Sequence, residues 1–336
     1  MRIITIGDGA MATVCSQILA EKHGAALPVT MWGRNAEHLA KMQRERVNAR
    51  YLPAVGLSEH LGFEADEARV FAGLTGADLI LCALPTQYIR AALMRLAPHI
   101  PAGVPVVSVA KGIEISTLLR PSQIITELLG RRPVAAFSGP SIASELARKL
   151  PATMVAAADD AVLAQRVQEL FTCAYLRVYT NSDLIGVELA GALKNVVAIA
   201  AGILQGMNAG HNAKAALISR GLVEITRLGL AMGAQAETFY GLAGLGDLVT
   251  TCFSPEGRNR TFGERLGRGE KPEAILATMA GVVEGMPTTK AVYKLAKDHG
   301  IDMPICRGLF AVLYEGAEPK SEIAQLMSRE SKCETE

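Results

Sequence analysis

The sequence predicts an α/β domain with a parallel sheet, followed by an all-α domain. Three observations support this prediction. Short runs of β-branched residues alternate with helix-like stretches through the first half of the chain, which is typical of βαβ units. A glycine-containing turn follows the first of these runs directly, at Gly7. The strand pattern then fades after about Asn181, where long apolar stretches interrupted by glycine begin.

Seven predicted strands build the first domain, and helices separate them. The strands cover residues 3–6, 29–32, 79–84, 104–109, 134–137, 153–158 and 176–179. The helices cover residues 11–22, 35–48, 86–97, 116–129 and 161–171. Residues 50–69 contain Pro53, Gly56 and Gly62, and we expect them to form a loop.

The second half of the chain is predicted to be helical, with a domain boundary near residue 180. Its helices cover residues 186–204, 212–232, 272–279, 288–299 and 305–314. The predicted domains are therefore 1–180 and 181–330, and the polar residues 328–336 are expected to fray. A chain of 336 residues that is 50% hydrophobic has enough apolar material for two cores.

The composition argues against several kinds of partner. The formal net charge is +1 and only 5% of the residues are aromatic, so we expect no nucleic-acid surface. The six cysteines show no metal-ligand spacing, and we expect free thiols in a reducing compartment and no metal site. No leader precedes the first strand, and the apolar run at 196–204 is shorter than the roughly 18–20 residues that span a bilayer. We therefore expect a cytoplasmic protein without stable membrane insertion.

The turn after the first strand reads Gly7-Asp8-Gly9-Ala10-Met11-Ala12, a G-x-G-x-x-A pattern. Gly7 permits a tight turn, Gly9 lets a pyrophosphate approach the backbone, and Ala12 lets the helix pack on the strand. The helix N-terminus then faces the anion. Because a strand precedes this turn and a helix follows it, the pattern predicts a dinucleotide-binding (Rossmann-like) domain.

The end of the second strand indicates which dinucleotide is bound. NAD sites usually carry an acid there that bonds the ribose 2′-hydroxyl, but this strand ends Met31-Trp32-Gly33-Arg34. A guanidinium suits a 2′-phosphate, so we predict that NADP is preferred over NAD. The alternative interpretation is a solvated surface arginine.

Lys111 and Gly139 each follow a predicted strand, at the edge of the sheet where such folds bind ligands. Lys194 lies in an apolar helix whose same face carries small residues such as Ala190, Gly191 and Ala198. Burial disfavours the charged form of a lysine, which suits proton transfer near neutral pH. Asn195 follows and is able to orient a ligand oxygen, and a carboxylate such as Asp247 is able to hold the lysine. The alternative is a lysine whose stem is buried and whose head reaches solvent.

A second cationic segment, Gly257-Arg258-Asn259-Arg260, lies in a stretch rich in turn residues. An arginine and an asparagine with unengaged side chains make a good phosphate clamp. A solvated basic loop is the alternative.

Taken together, these motifs closely resemble the bacterial-type NAD(P)-dependent glycerol-3-phosphate dehydrogenase family over nearly the whole chain. Besides the glycine turn and Arg34, the resemblance rests on motifs that occur in the family's order. They are Tyr51-Leu52-Pro53, Lys111-Gly112, Gly139-Pro140-Ser141-Ile142-Ala143-Ser144-Glu145, Gly191-Ala192-Leu193-Lys194-Asn195, Ala243-Gly244-Leu245-Gly246-Asp247-Leu248, Arg258-Asn259 and Val282-Val283-Glu284-Gly285.

The resemblance implies interconversion of sn-glycerol 3-phosphate and dihydroxyacetone phosphate, which supplies glycerol 3-phosphate for phospholipid synthesis, and it implies a possible homodimer. Lys194 would be the general base and acid toward the C2 oxygen, with Lys111 and Asp247 beside it. The implied substrate contacts are Lys111, Gly139, Ser141, Lys194, Asn195, Asp247, Thr251, Arg258 and Asn259. The implied cofactor contacts are Gly7, Gly9, Ala10, Met11, Ala12, Arg34, Lys111, Ala143, Arg258, Val282 and Glu284.

Three residues depart from the family pattern. The family often has serine and a large aromatic residue where this chain has Ala10 and Met11, and serine where it has Gly257. Two hydroxyl groups are thereby lost. Two alternative functions stay open at this point: a related two-domain dehydrogenase of a β-hydroxy acid or ketopantoate, and a non-catalytic NADP-sensing module. Arg258-Asn259 with Gly139-Pro140-Ser141 favours a phosphorylated triol over a carboxylate substrate.

Overall fold

A computed structural model of the chain describes residues 1–279, 281–331 and 333–334. The N-terminal half holds an eight-stranded sheet in the order β10-β9-β8-β7-β6-β1-β2-β5, and β3 and β4 form a separate hairpin. The strands are β1 (Ile3–Ile6), β2 (Val29–Trp32), β3 (Val47–Asn48), β4 (Leu52–Gly56), β5 (Leu61–Glu64), β6 (Leu79–Cys82), β7 (Val106–Ser108), β8 (Val134–Ser138), β9 (Ala152–Ala158) and β10 (Leu176–Asn181).

Helices cover the sheet and build the second half of the chain. Those that alternate with the strands are α1 (Ala10–His23), α2 (Ala36–Glu45), α3 (Glu67–Thr75), α4 (Thr86–Leu96), α5 (Pro121–Leu129), α6 (Ala143–Ala147) and α7 (Ala161–Phe171). The later ones are α8 (Leu184–Gly206), α9 (Gly210–Ala231), α10 (Ala236–Tyr240), α11 (Asp247–Phe253), α12 (Arg258–Gly267), α13 (Pro272–Thr278), α14 (Gly285–Asp298), α15 (Pro304–Phe310) and α16 (Pro319–Met327). Short 3₁₀ turns lie at Gly24–Ala26 and Ala97–His99, and π-helical turns at Leu242–Gly246 and Ala311–Glu315.

The predicted fold class is confirmed, with a sheet that is mostly parallel. β1 pairs in parallel with β2 and with β6, and its residues Ile3 and Ile6 are fully buried. A strand that is covered on both faces is expected to be continuously apolar. One pair, β8 with β9, is antiparallel. The only helix in the connection between them is the five-residue α6, which is shorter than the usual crossover of a parallel pair.

The prediction of a loop at 50–69 is wrong. That segment contains β4, β5 and the first residues of α3. Pro53 and Gly56 disfavour a central strand, but β4 pairs only with the two-residue β3 in a hairpin. The predicted helix at 116–129 also starts later, at Pro121, because proline is favoured in the first turn of a helix and restricts the residue before it.

The second half is helical, as predicted, with α8 at its centre. Backbones touch where α8 crosses α12: a Cβ on Gly202 would lie 2.1 Å from the carbonyl oxygen of Arg260, and one on Gly263 would lie 2.0 Å from that of Ile199. These glycines bring the start of α12 beside the middle of α8. Sequence reasoning missed α10, α11, α12 and α16, which are short or lie in turn-rich segments.

Three further expectations concern the domain boundary, the C-terminal tail and α8. The predicted boundary near residue 180 stays a prediction; β10 ends at Asn181 and α8 starts at Leu184. Of the tail predicted to fray, Lys332, Thr335 and Glu336 lie outside the described residues. α8 extends well beyond the apolar run at 196–204, and its 23 residues satisfy the length and hydropathy of a membrane span. However, 89% of its most apolar window is buried inside the protein.

Candidate active site

The glycine turn has the geometry that a dinucleotide needs. Gly7 has φ of +130°, and a Cβ there would lie 2.6 Å from the carbonyl oxygen of Ala83, so a side chain is excluded sterically as well as conformationally. Gly9 precedes α1 directly, and no atom lies within 4 Å of the place a Cβ would take. The turn therefore leaves an open cradle at the N-terminus of α1, which fits a pyrophosphate. Ala10 and Met11 begin α1, and Ala12 in the same turn of the helix is buried.

Arg34 follows β2 and is exposed. Its guanidinium lies over the ring of Tyr88, on the first turn of α4, 5.6 Å from the ring centroid. An aromatic ring attracts the guanidinium without accepting a conventional hydrogen bond from it, so its N–H donors stay available for a phosphate. Tyr88 is not part of the motifs singled out from the sequence.

Three charged groups meet between the two halves of the chain. Lys111 follows β7, Lys194 lies in the middle of α8, and Asp247 begins α11 after a π-helical turn. The Nζ atoms of Lys111 and Lys194 lie 2.7 Å from Asp247 Oδ2 and Oδ1 respectively. Asp247 thus bridges the two ammonium groups, as one carboxylate able to accept from both.

The buried position of Lys194 changes its acidity. Its side chain is almost completely covered, with a relative exposure of 5% for the residue. Burial lowers the pKa of Lys194 to about 8, helped by the Lys111 charge and opposed by Asp247. Burial raises the pKa of Asp247, but the two ammonium groups more than offset this and hold it below its usual value. Lys194 can therefore gain or lose a proton near neutral pH.

Lys111 is held by a second set of oxygens. Its Nζ donates to the carbonyl oxygen of Gly139 and to Oγ of Ser141, both at 3.0 Å. Gly139 has φ of +115° and packs on Met154. A Cβ on Gly191 of α8 would lie 3.5 Å from the Lys111 side chain and 2.9 Å from Oγ of Ser138. The small residue lets Lys111 lie closely along α8.

Asparagines extend the site toward α12. Asn195 Nδ2 donates to the carbonyl oxygen of Lys111 at 3.0 Å, and Asn259 Nδ2 donates to Asn195 Oδ1 at 2.9 Å. Asn259 Oδ1 in turn accepts from the Gly285 N–H at 2.9 Å. Thr251 accepts a hydrogen bond from Lys194 at 2.5 Å. All the predicted substrate residues except Arg258 are thus joined to Lys111 or Lys194 directly or through one neighbour.

Arg258 lies at the edge of this network. The segment Gly257–Asn259, read from the sequence as a turn, instead starts α12, with Gly257 at its N-cap. The Arg258 guanidinium lies against Gly281, where a Cβ would be 2.6 Å from it. Val282 and Glu284 follow Gly281, so these predicted cofactor residues lie together. In the described part of the chain no hydrogen bond or ion pair engages the Arg258 side chain, and its donors can receive an anion.

Glu284 joins the two halves of the chain. Its Oε1 accepts from the backbone N–H of Thr86 at 3.0 Å, at the start of α4. Burial raises the pKa of Glu284. Sequence reasoning missed Thr86, although it follows β6 as Lys111 follows β7 and could have been found by the same rule. Ala143 begins α6 and packs against the core of the first domain; the structure links it to none of the three charged groups.

Two structural expectations can be compared with the described residues. Cys15, Cys82, Cys173, Cys252 and Cys306 form no disulfide bond. Within 1–279, 281–331 and 333–334 no cluster of three or more His, Cys, Asp or Glu side chains has the arrangement of a metal site.

Family models match both halves of the chain. Residues 2–164 match the NAD-dependent glycerol-3-phosphate dehydrogenase N-terminus, and residues 183–324 match the C-terminus of the same family. A glycerol-3-phosphate dehydrogenase [NAD(P)+] from Geobacter sp. (strain M21) is 44% identical over 336 residues, which are 99% of this chain and 98% of that protein. The chain belongs to the NAD-dependent glycerol-3-phosphate dehydrogenase family.

Solved structures agree with this membership. A crystal structure of glycerol-3-phosphate dehydrogenase from Coxiella burnetii has a TM-score of 0.92 and 36% identity, over 98% of this chain and 99% of that one. A ketopantoate reductase from Ralstonia eutropha has a TM-score of 0.61 at 15% identity over 96% of this chain and 100% of that one. The second likeness shows a shared fold and nothing about the substrate. The family confirms the resemblance, and the named relatives support use of NAD or NADP.

Proposed function

We propose that the protein is an NAD(P)-dependent glycerol-3-phosphate dehydrogenase that interconverts sn-glycerol 3-phosphate and dihydroxyacetone phosphate. One observation carries the proposal: the buried Lys194 pairs with Asp247, which pairs in turn with Lys111 at the end of β7. Family membership supports the same activity. A non-catalytic sensing module would not require this arrangement.

The chain's own groups would divide the chemistry as follows. Bound NAD(P)H supplies a hydride to C2 of the ketone, and the oxidised cofactor accepts one in the reverse reaction. Lys194 donates its proton from Nζ to the C2 oxygen as the alcohol forms, and its neutral amine takes that proton in the reverse direction. Lys111 and protonated Lys194 stabilise negative charge that develops on the same oxygen. Asp247 fixes both ammonium groups.

Binding groups would fix the substrate at the reacting position. Arg258 and Asn259 hold the phosphate, which does not react, so the energy of that contact orients the carbon that does. Asn195, Thr251, Gly139 and Ser141 surround the triol end. The cofactor contacts are those predicted from the sequence, from Gly7 to Ala12 together with Arg34, Lys111, Ala143, Arg258, Val282 and Glu284, and Arg34 favours NADP over NAD.

A direct assay of cofactor oxidation tests the proposal. NADPH or NADH oxidation is followed at fixed pH with dihydroxyacetone phosphate, ketopantoate or a β-keto acid as the only acceptor. We expect rapid turnover with dihydroxyacetone phosphate alone, and none in Lys194→Met. Turnover of ketopantoate instead would establish the related dehydrogenase, and tight NADPH binding without any turnover would leave the sensing module.

Three broader expectations accompany this activity. Glycerol 3-phosphate formed here would enter phospholipid synthesis, and the protein would work in the cytoplasm without stable membrane insertion. A homodimer is expected from the family resemblance, and sedimentation of the purified chain measures it.

A further inference from the structure

Asp8 occupies a position that none of the roles above includes. It lies between the two glycines of the turn, directly after β1. The register pairs Ile6 of β1 with Trp32 of β2, so Asp8 leaves the sheet next to Gly33 and Arg34. A Cβ placed on Gly33 would lie 2.7 Å from Cγ and 2.7 Å from Oδ2 of Asp8. The Asp8 carboxyl group therefore fills the place where a side chain directly after β2 would begin.

The position of Asp8 is fixed by its backbone while its carboxylate is left unengaged. The Asp8 carbonyl oxygen accepts from Asn48 Nδ2 at 3.0 Å, and the same Nδ2 donates to Oγ1 of Thr13 at 2.7 Å. The side chain is partly exposed. No hydrogen bond or ion pair to its carboxylate occurs among residues 1–279, 281–331 and 333–334. A fixed, accessible carboxylate next to a nucleotide cradle is an available acceptor.

Dinucleotide sites of this type use an acid at the end of β2 to bind the ribose 2′-hydroxyl. This chain has Gly33 and Arg34 there and no acid. We propose that Asp8, reaching across from the glycine turn, is the residue that accepts a hydrogen bond from the ribose 2′-hydroxyl of NAD(H). The inference rests on the proposed dinucleotide-dependent function and adds a residue that sets its cofactor selectivity.

Asp8 and Arg34 then act in opposite directions. A carboxylate accepts from the 2′-hydroxyl of NADH but repels the 2′-phosphate of NADPH, whereas the Arg34 guanidinium attracts that phosphate. Tyr88 keeps the guanidinium at this end of β2. With both side chains present, both cofactors would bind. Removing either side chain would shift the selectivity toward one cofactor.

Equilibrium binding of NADH and NADPH to the full-length protein tests the assignment, read by cofactor fluorescence or calorimetry. In Asp8→Asn we expect the Kd for NADH to rise on the order of three- to tenfold, as for loss of one partly exposed charge-assisted hydrogen bond. The Kd for NADPH should fall, because the repulsion is removed. Asp8→Glu, which keeps the charge, should retain most of the NADH affinity. Arg34→Ala should shift the ratio of the two Kd values in the opposite direction, toward NADH.

Asp159→Asn is a matched control, because it removes an exposed carboxylate of the same domain after β9, away from the turn. Its ratio of the Kd for NADH to the Kd for NADPH should equal that of the wild type.

Two results would overturn the inference. Equal weakening of both cofactors in Asp8→Asn would show that Asp8 only shapes the turn, and unchanged Kd values would show that it does not face the ribose. Lack of turnover with dihydroxyacetone phosphate in the wild type would instead refute the proposed function, and the binding ratios would still report on Asp8. If Asp8→Asn does not fold, the Asp8→Glu ratio decides, because a role in shaping the turn would make it weaken both cofactors alike.

Discussion

Asp247→Asn is the most direct perturbation of the site, because one carboxylate holds both lysines. It keeps the shape of the side chain and removes its charge. Asp247 opposes the burial that lowers the pKa of Lys194 to about 8, so removing its charge must lower that pKa further. The variant should therefore lose its catalytic proton at a lower pH than the wild type does.

The size of the shift follows from the geometry. The Lys194 Nζ to Asp247 Oδ1 distance is 2.7 Å. At an effective dielectric constant of 20, opposite charges about 4 Å apart attract by about 4 kcal/mol and closer charges attract by more, and one pKa unit corresponds to about 1.36 kcal/mol. The two ammonium groups repel each other and can move apart when the carboxylate is lost, which recovers part of that energy. We expect the Lys194 pKa to fall by at least about one unit.

The assay is kcat/KM for dihydroxyacetone phosphate between pH 5.5 and 9.5, since this ratio reports groups of the enzyme before the substrate binds. Reduction needs protonated Lys194, so the wild-type value should decline as pH rises through about 8, and the oxidation of glycerol 3-phosphate should rise over the same range. In Asp247→Asn the midpoints of both pH profiles, for reduction and for oxidation, should move to lower pH together. Asp302→Asn, an exposed carboxylate elsewhere, is the control. Unchanged midpoints in a folded Asp247→Asn that still binds NADPH would refute the reasoning.

Substitutions at three other residues separate catalysis, cofactor choice and phosphate binding. Lys194→Ala should lower turnover at least on the order of a hundredfold while the protein still folds and binds NADPH; near-normal turnover would remove Lys194 from the reaction. Arg34→Ala should raise the Kd for NADPH far more than that for NADH, and equal losses would show that Arg34 does not read the 2′-phosphate. Arg258→Ala should lower kcat/KM for dihydroxyacetone phosphate. The corresponding loss of transition-state stabilisation should be about 1.5–3 kcal/mol for each hydrogen bond lost, and Arg258→Lys should recover part of it. Unphosphorylated dihydroxyacetone provides the comparison, because a similar fractional loss on that substrate would sink the phosphate-clamp role.

The parts of the fold that the sequence predicts are those with local causes. The turn at Gly7 is recognisable because the strand, the glycines and the helix that define it are adjacent in the chain. Lys194 is noticeable as the one basic side chain in an apolar helical run. Asp247 could be suggested as its partner from chemistry alone, although 53 positions separate them.

The parts that the sequence does not predict depend on contacts between distant segments. The hairpin of β3 and β4 consists of short strands with Pro53 and Gly56, and hydrogen bonds from Asn48 to Asp8 and Thr13 attach it to the start of α1. The bond from Thr86 to Glu284 spans 198 positions. The reversal of β9 depends on pairing with β8 rather than on any property of its own residues, because alternation and β-branching are the same in either direction.

The attachment of α8 to the first domain is another such contact, and it explains how Lys111 is positioned. Asn195 binds the carbonyl oxygen of Lys111, and Glu188, two helical turns earlier, accepts from the N–H of Ser122 at 2.7 Å and from its Oγ at 2.6 Å. Glu188 also pairs with Arg120. One face of α8 therefore holds both ends of the segment 111–122, so the pair with Arg120 contributes to the stability of the interface between the halves.

Glu188→Ala tests this attachment. Arg120 and Glu188 have relative exposures of only 9% and 4%, so loss of the carboxylate leaves a buried guanidinium without its partner. Removing one member of a buried pair costs about 3–5 kcal/mol, whereas replacing both by apolar residues is often neutral. We expect a loss of this size in the free energy of unfolding by urea, and recovery of most of it in Glu188→Leu combined with Arg120→Met. Glu127→Ala, which removes an exposed partner of Arg90, should change the free energy of unfolding far less, because solvent screens exposed ion pairs. A loss in Glu188→Ala no larger than that of this control would show that the buried pair does not hold the two halves together.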